Sequence, residues 1–209
     1  MALDDIRIRP ARADEAPLLA VLQEMASGGT IEYLLGGLVR GVTATELFAT
    51  AIARPGLSFS WDQCFVAEQG GHVVGQLNCY DPARQSPLGG FAFTRLGPVA
   101  FARLVTRTWR LRHVAAAEEH GCSGTLYISA IATAPIARGR GIGKVLLDHA
   151  AWEARRRRLP RVTLIAWADN VGARRLYKRE DFHLVREIPV HPCPRLAHEG
   201  GCVLMEREV

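Results

Sequence analysis

The chain has 209 residues, of which 48% are hydrophobic and 22% are charged, a composition typical of one folded globular domain. The most apolar stretch, residues 88–105, is interrupted by Arg95, Arg103 and glycines, so no membrane span is predicted. A formal net charge of +5 weakly favours an anionic partner. The start lacks the apolar core of a signal peptide, and the 5 cysteines show no paired spacing, so a reducing, cytoplasmic setting is expected.

The hydrophobic pattern predicts strands and helices along a single domain that spans residues 1–209. A strand around Ile6 is followed by a helix for which Asp14 is the expected N-cap, while residues 27–60 are rich in glycine and largely loop. Two apolar runs flank Gly70 and Gly71, which is typical of a β-hairpin. The two strands of this hairpin are predicted at 64–68 and 73–80, and later strands at 125–133, 161–168, 182–188 and 202–206. Helices are predicted at 14–25, 43–53, 98–121, 141–158 and 170–179.

Residues 81–123 are predicted to form a helical insertion between the third and fourth strands. The segment begins with prolines and glycines and becomes helix-like from Pro98, a residue suited to a first helical turn. Its apolar residues, from Val99 to Val114, alternate with arginines. The sequence leaves three roles open for this helix, namely core packing, a homodimer surface and a wall of an acceptor pocket.

The most informative stretch is a glycine-rich turn that follows a predicted strand and opens a helix. It contains Arg138, Gly139, Arg140, Gly141, Ile142, Gly143 and Lys144. Glycines let the backbone approach a ligand closely, and the N–H groups at a helix N-terminus bind anions. A Walker A loop needs glycine at 138 and Ser or Thr at 145, where this chain has Arg138 and Val145. The dinucleotide pattern GxGxxG is also absent, so the pattern predicts another phosphate site or a glycine turn without a ligand.

The spacing of Arg138, Gly141 and Gly143 resembles the acetyl-CoA loop of the GNAT family of N-acetyltransferases. Residues 130–135 resemble the end of the central strand of that family. The second signature motif of the family resembles a group of residues near the end of this chain, namely Asn170, Ala173, Leu176, Tyr177, Asp181 and Phe182. The match covers residues 125–184, and it implies an α/β fold with a mixed, centrally splayed β-sheet flanked by helices.

The resemblance implies roles for the matched residues. The loop amides would hold the pyrophosphate of acetyl-CoA, and backbone groups of residues 131–133 would bond its pantetheine arm. Asn170 would bond the pantetheine or cap the following helix, and Tyr177 would protonate the leaving thiolate or serve as a core tyrosine. The implied cofactor-binding residues are Ile131, Ala132, Thr133, Arg138, Gly139, Arg140, Gly141, Ile142, Gly143, Lys144, Asn170 and Ala173.

The reaction that the resemblance implies is acetyl transfer from acetyl-CoA, as co-substrate, to a primary amine of a small molecule or peptide. The amine would attack directly in a ternary complex, since no cysteine lies within the matched motifs. The sequence does not identify the base that this attack needs. Glu32, Asp62 and Asp81 lie where the family often places substrate-side groups, although capping and solvated carboxylates are commoner.

Three weaker signals are interpreted conservatively. No metal is expected, because the candidate ligands are irregularly spaced. Those candidates are His191, Cys193, His198 and Cys202. The run Arg155–Arg158 favours a solvated helix end over a nucleic-acid surface, because aromatic residues are sparse around it. A non-catalytic acyl-CoA-binding or sensing module is the alternative to an enzyme.

Overall fold

The computed structural model describes residues 6–84, 96–111, 124–190, 196, 198 and 200–209. Within these residues, one seven-stranded sheet contains β1 Ile6–Pro10, β2 Cys64–Gln69, β3 His72–Tyr80, β4 Leu126–Thr133, β5 Arg161–Trp167, β6 His183–Ile188 and β7 Cys202–Glu208. The helices are α1 Ala16–Ser27, α2 Thr30–Leu35, α3 Ala44–Ile52, α4 Pro98–Arg110, α5 Ile142–Arg156 and α6 Val171–Arg179. This mixed α/β architecture confirms the predicted fold class.

The sheet has the order β1-β2-β3-β4-β5-β7-β6, and its one parallel pair is β4 with β5. These two strands pair from Leu126 with Val162 to Ile128 with Leu164. Although β4 continues to Thr133 and β5 to Trp167, the pairing does not continue with them. The two central strands therefore splay apart at their carboxyl ends, as the family resemblance implies.

A β-bulge lies in β4 at the point where the splay begins. Asn78 of β3 pairs with Ala130, whereas the next residue of β3, Cys79, pairs with Ile128. Ser129 is therefore the extra residue, and it is exposed although its neighbours in the strand are largely covered. A bulge bends its strand and changes the direction of a side chain, so Ser129 does not follow the regular alternation of side chains between the two faces of the sheet.

Helices cover both faces of the sheet and build two large cores. On one face, α5 packs on the central strands through Leu146 and Leu147, which contact a core that includes Leu77 and Leu164. On the other face, α1 and α3 pack together around buried apolar residues. Alternate side chains of a strand point to opposite faces of the sheet, so each helical layer buries one of the two sets. The sheet therefore lies between the two layers of helices.

The structure confirms the predicted helix at 43–53 and corrects the start of the first helix. Thr43 caps α3 with a capping box, in which its Oγ1 accepts from Glu46 N at 3.1 Å. The expected N-cap of α1, Asp14, was wrong, because the helix begins at Ala16 after a 3₁₀ turn and Glu15 is its N-cap. Glu15 is held by Arg9 at 2.7 Å, a contact between residues on different elements.

The insertion contains a helix, as predicted, at α4. The rest of the predicted helix lies outside the described residues, as do 85–95. Arg107 donates from Nη1 to the carbonyl oxygens of Leu34 at 3.0 Å and Gly36 at 2.9 Å, which ties α4 to the end of α2. Along the described ranges, no helix is long and apolar enough to cross a membrane.

Candidate active site

The glycine-rich turn connects β4 to α5 in a conformation suited to anion binding. Gly139 and Gly141 have φ angles of +74° and +78°, a left-handed conformation that side chains other than glycine rarely adopt. Gly141 is the N-cap of α5, and the N–H of Val145 donates to its carbonyl oxygen at 3.2 Å. The N–H groups of residues 142–144 precede this first bond and have no partner within the helix. They lie at the carboxyl edge of β4, and unpaired N–H groups at a helix N-terminus are suited to bind an anion.

The cationic side chains of this turn differ in their surroundings. Arg138 and Arg140 are exposed there. The ammonium of Lys144 instead donates to Asp148 at 2.9 Å and to Glu180 at 3.0 Å, which raises the pKa of the lysine and offsets its charge. Lys144 therefore offers the turn its backbone N–H rather than a free cation.

Gly143 serves the packing of the site as well as its turn. Its backbone is helical, but a Cβ at this position would lie 2.9 Å from Cδ2 of Leu176. Because that methyl is the end of a flexible side chain, a Cβ at this position would require the side chain of Leu176 to move. Glycine thus lets Leu176 of α6, the helix that carries Tyr177, lie close against α5.

A cavity of about 560 Å³ opens where β4 and β5 splay. Its floor is formed by residues 128–131 of β4 and 164–167 of β5, and Asn170 and Tyr177 border it beyond β5. Residues of α1, α2, α3 and α4 complete its wall. Of the residues predicted from the resemblance, the structure brings Ile131, Asn170 and Tyr177 to this one cavity.

The predicted strand residues Ala132 and Thr133 do not line the cavity but continue β4 towards the glycine-rich turn. They pair with β3 on one edge, where Ala132 lies opposite Gln76 and Thr133 opposite Gly75. On the other edge, the splay leaves this part of β4 without strand pairing to β5. Its backbone groups on that edge are therefore open to hydrogen bonding by a ligand.

Tyr177 is buried at the border of the cavity. It is 8% exposed, and its ring centroid lies 5.9 Å from that of Phe182. Burial raises the pKa of its phenol to about 12. The hydroxyl is therefore protonated at neutral pH and is a hydrogen-bond donor, because desolvation disfavours the phenolate.

Asn170 caps the helix that carries Tyr177. Its Oδ1 accepts a hydrogen bond from Ala173 N at 3.1 Å, so Ala173 enters the site as the partner of this cap. The capping role that the sequence allowed is thus present. Because Asn170 also borders the cavity, capping does not exclude a contact between this side chain and a ligand.

Cys202 lines the cavity, which the sequence analysis did not anticipate. It belongs to β7 and pairs with Trp167 at the end of β5. Burial, with a smaller contribution from the charge of Asp169, raises the pKa of its thiol to about 12. The thiol is therefore protonated at neutral pH and is a poor nucleophile.

The three carboxylates proposed as substrate-side groups have local structural roles. Asp62 accepts from Gly56 N at 3.0 Å, and Asp81 accepts from Ala83 N at 3.0 Å. The carboxylate of Glu32 lies against Gly36, where a Cβ would collide with it. None of the three borders the cavity described here.

His198, one of the candidate metal ligands, joins distant segments next to the cavity. Its Nδ1 lies 2.9 Å from Oδ1 of Asp169, and its Nε2 lies 2.8 Å from the carbonyl oxygen of Gly28. Its ring stacks on Trp167, with the two ring centroids 4.4 Å apart. Among the residues that the structure describes, no three His, Cys, Asp or Glu side chains form a metal-binding group. His191 and Cys193 lie outside them.

The comparisons with known proteins agree with this geometry. Residues 43–182, more than half of the chain, match the family described as "Acetyltransferase (GNAT) family". The chain belongs to the GNAT acetyltransferase family. No match was found among curated proteins.

Solved structures of N-acetyltransferases share this fold. An N-acetyltransferase from Staphylococcus aureus Mu50 is 18% identical with a TM-score of 0.67, covering 97% of this chain and 100% of its own. A polyamine N-acetyltransferase from Drosophila melanogaster is 17% identical with a TM-score of 0.63, covering 98% and 100%. An agmatine N-acetyltransferase is 18% identical with a TM-score of 0.62, covering 99% and 100%. At these identities the likeness concerns the fold.

Proposed function

We propose that this GNAT acetyltransferase moves an acetyl group from acetyl-CoA to a primary amine of a small molecule or peptide, by direct attack in a ternary complex. The observation that carries the proposal is the splay of β4 and β5, which opens a cavity bordered by Tyr177. The glycine-rich turn lies at the same edge of the sheet. A phosphate site and a proton donor thus flank one slot between the strands.

The residues present fit acetyl-CoA, which supplies an activated acyl group as a thioester. The amides of residues 142–144 would hold the pyrophosphate, with Arg138 and Arg140 adding positive charge. The unpaired edge of β4 would accept the pantetheine arm, much as a strand accepts a neighbour. Ile131 is the predicted residue at which this edge meets the cavity.

Tyr177 would donate a proton to the sulfur when the carbon–sulfur bond breaks. The pKa of its phenol is about 12, and the pKa of Cys202, a thiol in the same cavity, is also about 12. Burial raises both values by the same mechanism, since it disfavours the anion. A phenol that stays neutral beside a buried leaving thiolate is therefore suited to general acid catalysis.

Direct attack is supported by the state of Cys202. Since its pKa is raised to about 12, little thiolate exists at neutral pH to form an acetyl-enzyme. The other described cysteines, Cys64 and Cys79, are buried within the cores, and burial raises their pKa values to about 12.

The partners we propose are an amine acceptor and not a nucleic acid. In the run 155–158, Arg156 and Arg157 contact the buried Glu153 at 2.8 and 3.0 Å. Two of these four arginines thus serve the end of α5 rather than a free basic surface. A cytoplasmic location and a homodimer stay predictions from the sequence.

Initial-rate kinetics test the proposal. The release of thiol from acetyl-CoA is followed while acetyl-CoA and a primary amine are varied, and double-reciprocal lines that intersect are expected for a ternary complex. Parallel lines, together with acetylated protein found by mass spectrometry, would contradict direct attack. Binding of acetyl-CoA without thiol release from any amine of a broad panel would instead support the binding module.

A further inference from the structure

The walls of the cavity carry information about the acceptor. On the side formed by α1 to α4, the wall is aromatic and aliphatic, with Phe48 and Phe59 in a tilted pair 5.3 Å apart between ring centroids. Tyr80 and Tyr127 form a second aromatic pair, 5.6 Å apart between centroids and edge to face. The aliphatic members of this wall are Ile31, Leu34, Leu35 and Leu104.

Charged side chains are absent from the described lining. Of the residues that border the cavity in the described ranges, none is Asp, Glu, His, Lys or Arg. The nearest carboxylates along α1 and α2 belong to Glu24 and Glu32, and neither residue borders the cavity. A second ammonium or a carboxylate on the acceptor would therefore be buried here without an opposite charge, which is strongly unfavourable.

Four polar side chains on the helical side of the cavity donate hydrogen bonds within the protein. Ser27 donates to Glu24 O at 2.8 Å, Thr30 donates to Ser27 O at 2.8 Å, and Thr108 donates to Leu104 O at 2.9 Å. Gln23 donates to Phe59 O at 3.2 Å. The donors that remain on the described lining, among them the hydroxyl of Tyr177 and the side-chain amide of Asn170, are neutral, so none of them carries a charge that would offset one on the acceptor.

We infer that the acceptor is a primary monoamine with an aromatic or aliphatic body and no second charged group. The inference rests on the proposed function, because it assigns the cavity beyond the thioester position to the amine. The same apolar wall favours the neutral amine over the ammonium ion, since desolvation lowers the pKa of an amine. Only the neutral amine has the lone pair that forms the new carbon–nitrogen bond.

The test compares two substrates of equal length, n-pentylamine and 1,5-diaminopentane, which differ by one terminal ammonium. With saturating acetyl-CoA and the full chain, kcat/KM from thiol release is expected to be at least ~10-fold higher for pentylamine. Equal or higher kcat/KM for the diamine overturns the inference while leaving the transferase function intact.

A pair of matched variants on α4 localises the effect. Thr108 borders the cavity, whereas Thr106, on the same exposed helix, lines a different groove. Thr108→Asp places a carboxylate at the wall and is expected to reduce the preference for pentylamine by about 10-fold. Thr106→Asp, the control, leaves the preference unchanged. Equal effects of the two variants would overturn the assignment of this wall to the acceptor.

Failure of the proposed function is distinguished by titrating the same preparation with acetyl-CoA in a calorimeter. Binding with a reversed amine preference overturns only the acceptor class. Thiol release with other amines of the broad panel but not with n-pentylamine also overturns only the acceptor class. If acetyl-CoA does not bind, or binds without thiol release from any amine of that panel, the proposed function and this inference fail together.

Discussion

Substitution of Tyr177 by phenylalanine removes the proposed acid and little else. The side chain is 8% exposed and borders the cavity, and burial is the cause of its raised pKa. The ring of phenylalanine fills the same volume and keeps the contact with Phe182. The variant therefore separates the chemistry of the hydroxyl from the packing of α6.

The expected loss of rate follows from the proton balance in the cavity. Without the phenol, the sulfur would leave as a thiolate at a buried border of the cavity, where desolvation disfavours an anion. General acids typically contribute at least ~100-fold, so Tyr177→Phe is expected to lower kcat about 100-fold, or ~2.7 kcal/mol in activation free energy. The free energy of unfolding should stay within ~1 kcal/mol, because burial is the only cause of its raised pKa and no hydrogen-bond partner of this hydroxyl is found within the described ranges.

The assay is steady-state thiol release, accompanied by thermal unfolding and by calorimetric binding of acetyl-CoA. Tyr33→Phe is the matched control, because Tyr33 is also buried but does not border the cavity, and its kcat should be unchanged. A Tyr177→Phe enzyme with kcat within ~2-fold of the original would refute the acid role. A large fall in stability would refute the claim that the substitution spares the packing.

Three further predictions concern binding and stability. Gly141→Asp should weaken acetyl-CoA binding, measured by calorimetry, ~10- to 100-fold more than Gly141→Asn, because only the aspartate adds a negative charge while both residues tolerate the φ of +78°. Equal losses of affinity in the two variants would contradict an anion site. Arg157→Ala should lower the free energy of unfolding in urea by about 1–3 kcal/mol, because Glu153 is buried and Arg156 and Arg157 hold its pKa low against the opposing effect of burial. The control Arg155→Ala, at an exposed position, should lower it by less than ~0.5 kcal/mol. Similar losses for the two variants would contradict the pairing of Arg157 with Glu153. The free energy of unfolding, measured under reductant, should fall from pH 9 to 12 by about 1.4 kcal/mol per pH unit for each buried thiol, because the folded chain keeps a proton that the unfolded chain releases. A free energy of unfolding that does not change over this pH range would contradict the raised pKa of about 12 for Cys64.

Elements with strong local signals could be predicted from the sequence. The helix at 43–53 and the glycine turn between β2 and β3 depend on neighbouring residues, and both predictions agree with the structure. The short helix α2 was missed, because six residues between glycines carry too little pattern. Asp14 failed as a cap because Glu15, bound to Arg9, ends the preceding turn instead.

The candidate site was predictable only along its continuous segments. The turn at 138–144 and the helix with Tyr177 each lie within one stretch of chain, so their spacing indicated them. The pairing of Lys144 with Glu180 and the place of Cys202 beside Trp167 depend on tertiary contacts between distant segments. No periodicity reveals such contacts, so the sequence left the wall of an acceptor pocket as only one of three roles for the helix that begins at Pro98.

The most direct measurement of the central claim is a calorimetric titration of the purified chain with acetyl-CoA, beside coenzyme A, ATP and NAD. If the splayed strands and the glycine-rich turn form one site, acetyl-CoA and coenzyme A bind with one-to-one stoichiometry and a Kd of about micromolar order, while ATP and NAD bind far more weakly. Absence of acetyl-CoA binding, or equal binding of NAD, would contradict the account.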